Sequence, residues 1–167
     1  MTPVPMTSIP TVQIGRPGWE RHGDQLRHQF PQVAWLIVHA DRLEHLTPDG
    51  TISHPEWDDA NADVGWMDLD VVRSDVQGRH FALAASGPPP QWVHASYAGL
   101  DGAYWSSLVD KGTIVTGSHI SGIPMAQYVM GQVLQWFHAP AGWPQARASK
   151  TWRAGEFQEI ADTTWVV

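Results

Sequence analysis

The chain has 167 residues, 43% hydrophobic and 16% charged, with a formal net charge of −7 and no cysteine. That balance excludes a disordered chain and a nucleic-acid surface. The missing cysteine excludes disulfides, thiolate nucleophiles and Cys-ligated zinc, and fits a reducing compartment.

Residues 1–11 are proline-rich and without a period, which predicts a loose lead-in; MTPVPMTSIP lacks the basic and apolar regions of a secretory signal. No apolar run reaches membrane-span length, so a soluble cytoplasmic protein is expected. Thr11–Gly15 predicts a short strand. Trp19 to Phe30 reads as a helix on Trp19, Leu26 and Phe30, ended by Pro31. VAWLIV, Val33 to Val38, predicts a strand buried on both faces. Residues 39–63 are polar and read as loop, with a hairpin at Pro48-Asp49-Gly50. Val64 to Leu69 predicts the next strand, and its acidic tip, Asp68 and Asp70, reads as a solvated loop. Ser74 to Ala85 predicts a helix stopped by Gly87 and Pro88 to Pro90.

Gln91 to Asp101 predicts a strand, a tight loop at Ala98-Gly99 and a helix start, with Asp101 as the helix-start residue. That helix runs from near Tyr104 to Lys111, with Gly112 just past its end. Thr113 to Thr116 predicts a strand. A long helix follows from Pro124, at its first position, to Phe137, apolar on both flanks. Gln145 to Arg153 reads as a short polar helix or arm, and Thr163 to Val167 as a strand. Alternating elements of these lengths imply an α/β fold, a parallel sheet with helices on both faces.

The backbone amides of Tyr97, Ala98, Gly99 and Leu100 read as a cradle for an anion, since a strand–loop–helix start converges N–H groups there; the alternative is an ordinary turn. Ser74 is the early polar residue that could join them. The nine His include no pair spaced by one, two or three residues, so no metal site is expected. His94 reads as a core group within its strand, or as one that supports the pocket from behind. Asp58-Asp59 reads as solvated loop, and no serine has a G-x-S-x-G setting.

Trp92 to Asp101, WVHASYAGLD, resembles the W-[VI]-x-x-x-x-A-G-x-D stretch of the D-isomer-specific 2-hydroxyacid dehydrogenases. Gly112 to Gly117 resembles that family's next strand. Gly122 to Gly131 resembles its "AEY"-type helix, with Gln127 where the family has Glu. Trp152 sits where the family has a Trp after its arm, and Ile160 to Val167 resembles the strand leading into the glycine-rich nucleotide loop. The likeness covers about Pro55 to Val167.

The resemblance implies a flavodoxin-like substrate-side domain over 1–118. Residues 119–167 would be the interdomain helix, arm and first strand of an incomplete Rossmann-type nucleotide-binding domain. It implies reduction of a 2-oxo acid by NAD or NADP. The carboxylate of a small 2-oxo or 2-hydroxy acid would lie on Tyr97, Ala98, Gly99 and Leu100, with Ser74 nearby and Tyr97 shaping the choice of substrate. His119 and Met125 would lie on the cofactor side, and a homodimer would form through 124–153. The family's catalytic Arg, Glu and His follow the glycine loop, and this sequence contains no G-x-G-x-x-G, so no catalytic residue is expected in this chain and no turnover by it alone. No nucleic acid, membrane or metal is expected. A second reading is a non-catalytic module of the same fold that binds small carboxylates or dimerises; a third is an unrelated flavodoxin-like domain.

Overall fold

The computed structural model describes residues 9–72, 74–138, 142–152 and 159–164. The chain divides into two units, residues 1–119 and 120–167. In the first, the elements run β1 (Thr11–Gly15), α1 (Arg16–Gln29), β2 (Ala34–Val38), β3 (Leu43–Leu46), β4 (Ile52–Ser53), β5 (Val64–Met67), α2 (Gln77–Ala85), β6 (Trp92–Ala95), α3 (Ala103–Asp110) and β7 (Ile114–Gly117).

These strands form one sheet in the order β4-β3-β2-β1-β5-β6-β7. The five from β2 to β7 run parallel, and β3 and β4 are added antiparallel at one edge. Counted alone, the parallel strands follow the order 2-1-3-4-5 of a flavodoxin-like doubly wound sheet.

Alternation along β2 shows why both faces need cover. Trp35 and Ile37 join Ile14, Leu46 and Leu26 of α1 on one face. Leu36 and Val38 join Leu43, Val76 and Leu83 of α2 on the other. That second face continues over β5 and β6, where Met67, Val93 and Ala95 meet Ala84, Trp105 and Leu108. Each such side chain contributes about 1.5–3 kcal/mol by leaving water.

The expected hairpin is present. Thr47 N–H donates to the Thr51 carbonyl at 3.0 Å, and Asp49 accepts from the Thr51 amide at 3.0 Å. Leu43–Leu46, read as loop from its polarity, is instead a strand. Only its two end residues are buried, and the open edge of β2 supplies the ladder for the rest. α1 begins at Arg16, three residues before its expected start, with Pro17 in the first turn. Its apolar pattern is sparse because glycines hold inward positions: a Cβ on Gly18 would lie 2.5 Å from Asp68 Oδ2, and one on Gly23 would lie 2.9 Å from the Trp19 ring.

The second unit contains α4 (Gly122–His138), α5 (Trp143–Ala148) and a 3-10 turn at Ile160–Asp162. α4 starts two residues before Pro124, so that proline is the third helical residue and not the first. The short helix or arm expected over 145–153 is the helix α5, which starts two residues earlier and ends at Ala148; Arg153 lies outside the described residues. The expected strand at 163–167 is not seen: Thr163 and Thr164 join no ladder, and 165–167 lie outside the described residues. Trp136 and Trp152 are exposed. Among the described residues no helix is long and apolar enough to cross a membrane.

Candidate functional site

The parallel strands all point their C-terminal ends at one edge of the sheet, so the loops after β5, β6 and β7 gather there. The β6 loop begins with Ser96, whose amide donates to the Met67 carbonyl at 2.9 Å. The next four amides, of Tyr97, Ala98, Gly99 and Leu100, donate to nothing among the described residues. Gly99 has φ +84°, in the left-handed region that favours glycine, and turns the chain at the exposed tip. α3 then starts from Gly102, with no side-chain cap and no acid in its first turn. The cap expected from Asp101 is thus not made; Asp101 is exposed one residue too early. The loop therefore presents a run of unpaired N–H donors beside an uncapped helix start.

β7 holds the loop from below. A Cβ on Gly117 would lie 2.9 Å from the Tyr97 carbonyl oxygen and 2.8 Å from Leu100 Cδ1, so only glycine permits this approach. The Ser118 amide donates to the same carbonyl at 3.4 Å. Behind the loop stands an aromatic wall. Tyr97 meets Trp105 edge-on, with ring centroids 6.1 Å apart, and Trp105 meets Tyr104 at 4.8 Å and Phe81 at 6.0 Å. Tyr104 donates its hydroxyl to the Phe81 carbonyl at 3.1 Å. Burial raises the phenol pKa of both Tyr97 and Tyr104. The half-buried Tyr97 ring thus anchors the loop, while Ala98 and Gly99 form its exposed tip.

The β5 loop is built differently from the sequence reading. Asp68 is not solvated; it is only 7% exposed. Its Oδ1 accepts from the Val71 amide at 2.9 Å, and its Oδ2 has no hydrogen-bond partner among the described residues, lying against Gly18 in the first turn of α1. Burial pushes this carboxyl up, the Val71 hydrogen bond opposes that, and Asp70 adds to the rise. Asp70 itself pairs with Arg21 at 2.7 Å. Ser74, expected to reach a substrate, donates its hydroxyl to the Val71 carbonyl at 2.6 Å and accepts from the Val76 amide at 3.3 Å. It closes its own loop.

Comparisons with protein-family models, with curated proteins and with solved structures return no match.

His119 is exposed just beyond β7, while Met125 lies on α4 in the second unit, so the two expected cofactor-side residues belong to different units. His94 is half-buried, and its Nδ1 pairs with Thr116 Oγ1 at 2.9 Å. His80 was not singled out by spacing, yet it is fully buried on α2, with Nε2 donating to the Trp66 carbonyl at 3.1 Å. Gln13 donates to the His80 carbonyl at 2.7 Å, tying β1 to that helix. The position of Asp68 at a strand's C-terminal end was the one available signal for the acidic loop; nothing in the spacing marks His80.

A cavity of about 310 Å³ lies at the opposite edge of the sheet, between the end of α1 and the turn after β3. Arg27, Phe30, Trp35 and Thr47 line it, and it shares no residue with the β6 loop. Ser96 to Gly102 contains no Lys, Arg or His. The loop's means of holding an anion are therefore its backbone donors, which suit binding rather than proton transfer.

Proposed function

We propose that the first unit is the substrate-side domain of an oxidoreductase resembling D-2-hydroxyacid dehydrogenases, and that its β6 loop holds the carboxylate of a small 2-oxo or 2-hydroxy acid. One observation carries this reading: four consecutive amides, Tyr97 to Leu100, left without acceptors among the described residues at the C-terminal edge of a doubly wound sheet. Oriented backbone donors of this kind suit a carboxylate. The half-buried Tyr97 ring, backed edge-on by the buried Trp105, offers an apolar wall for the rest of the ligand. The exposed tip of Ala98 and Gly99 lets the ligand approach the backbone closely.

The residues present do not fit a dinucleotide. No G-x-G-x-x-G occurs in the sequence, and the second unit has no strand among its described residues. No hydride step is assigned to this chain, and His119 and Met125 receive no role in one; NAD or NADP belongs to the complete enzyme of the proposed class. The lack of cysteine suits the cytoplasm.

Titration of the ¹⁵N-labelled protein with pyruvate and with lactate tests the proposal. The amides of Ala98, Gly99 and Leu100 should shift saturably, and the uncharged lactamide should leave them unmoved. Equal shifts with lactamide, or shifts confined to the cavity at the other edge, would sink it.

A second reading has its own observation. α4 carries no Asp, Glu, Lys or Arg and buries no residue. Self-association through 124–153, whether in an enzyme or in a non-catalytic module, follows from a helix so lacking in charge. Sedimentation velocity should find a dimer.

A further inference from the structure

The cavity at the far edge of the sheet has a fixed floor and a charged wall. Its floor is a cross-strand pair, Trp35 of β2 opposite Leu46 of β3. Both are buried, at 4% and 5% exposure. One rim is the turn after β3, closed by Thr47: its amide donates to the Thr51 carbonyl at 3.0 Å, and its hydroxyl donates to Asp49. The opposite rim is the end of α1 with Pro31. A strand ladder, a bonded turn and a proline hold these walls, so the space is preformed. Its volume of about 310 Å³ stands at the small end of ligand pockets, about 300–1,000 Å³.

Three features define what would fit. Trp35 Nε1 is a buried donor with no acceptor among the described residues, and it belongs to a side chain of the cavity wall. A group of that kind costs about 1–3 kcal/mol until an acceptor reaches it. Asp24 and Arg27 both line the cavity, one turn apart on α1. Neighbours of opposite sign at this spacing can close on each other. Here they do not, and neither has another ion pair or hydrogen bond among the described residues. The carbonyls of Arg27, His28 and Gln29, at the end of the same helix, accept no hydrogen bond among the described residues either. A helix end of this kind favours a positive charge.

A lone anion in this space would meet Asp24, and a lone cation would meet Arg27. A small zwitterion satisfies both. Its ammonium goes to Asp24 and the helix end. Its carboxylate goes to Arg27 and accepts from the Trp35 indole. An apolar side chain then lies along Leu46 and Phe30, whose ring is 44% exposed.

We propose that this cavity binds a free α-amino acid with an apolar side chain, of the size of leucine or phenylalanine. It is a second ligand site. It shares no residue with the β6 loop and does not depend on what that loop holds.

Titration of the ¹⁵N-labelled protein with L-phenylalanine tests the assignment. Two probes run beside it: 3-phenylpropanoate, which lacks the ammonium, and 2-phenylethylamine, which lacks the carboxylate. The Trp35 indole N–H and the Thr47 amide should shift saturably with phenylalanine, and each analogue should bind about tenfold more weakly or worse. Asp24→Asn and Arg27→Gln change exposed side chains, so both variants should fold. Each should weaken phenylalanine binding about tenfold, while Asp24→Asn should leave 3-phenylpropanoate no weaker than before. The proposal is overturned by the absence of a saturable shift around the cavity, or by equal binding of the three probes. Variants that bind phenylalanine as the wild type does would also overturn it. So would shifts confined to the amides of Tyr97 to Leu100, which would move the amino acid to the β6 loop.

Discussion

His80 makes the stability of the first unit depend on pH in a way that can be isolated. It is fully buried, and burial pushes its pKa from 6.5 down to about 4, opposed only by its hydrogen bond to the Trp66 carbonyl. The unfolded chain therefore binds a proton between those values that the folded chain refuses. Stability is complete above the unfolded pKa and falls as pH drops through 6.5 toward 4, with a slope approaching 1.4 kcal/mol per pH unit. From these two values, moving from pH 7.5 to pH 5 removes about 2 kcal/mol, a large part of an ordinary domain's stability. His80→Gln keeps a donor for the Trp66 carbonyl and abolishes the titration. Urea unfolding of both proteins between pH 7.5 and 5 reads the difference, which should shrink by about 2 kcal/mol as the wild type loses stability. The raised pKa of Asp68 acts with the opposite sign but is common to both proteins, so it cancels. Parallel pH profiles for wild type and variant would refute the account, because they would mean that His80 reaches solvent or a charged partner when folded.

Two glycine substitutions probe the loops at the site edge. Gly117→Ala should weaken binding of the 2-oxo acid about tenfold while costing about 1–3 kcal/mol of stability, since its Cβ meets the Tyr97 carbonyl and Leu100; calorimetric titration and urea melts separate the two effects. Gly15→Ala should be more severe, because a Cβ there falls 2.0 Å from Val71 Cγ2. Adding Val71→Ala removes that methyl, so the double variant should be less destabilised than the sum of the two single variants.

The central strands were legible because their code is redundant. VAWLIV alternates large residues on both sides, and both sides are buried. The hairpin turn was equally plain from Pro48-Asp49-Gly50. β3 was not, because a strand with two polar residues between two leucines becomes a strand only when β2 offers it an edge. The start of α1 was hidden by its inward glycines, whose reason is spatial: Asp68 and Trp19 occupy the room a side chain would need. The β6 loop was readable from its small residues at a strand end. The burial of Asp68 was not, since an Asp-x-Asp tip looks solvated until Gly18 is seen to leave space for it. The commitment of Ser74 to its own loop was hidden for the same reason, as hydroxyl partners within three residues leave no trace in spacing.

The two margins of the sheet are unlike. On one side β3 and the two-residue β4 turn back on β2 and leave only a short, exposed rim. On the other, β7 presents its outer backbone groups with no further strand beside them among the described residues. Strand-by-strand accretion, the first step of fibre formation, thus has a single point of entry. Resistance to aggregation at this margin rests on the four residues from Ile114 to Gly117, and a lysine in place of the exposed Ile114 would act as its gatekeeper.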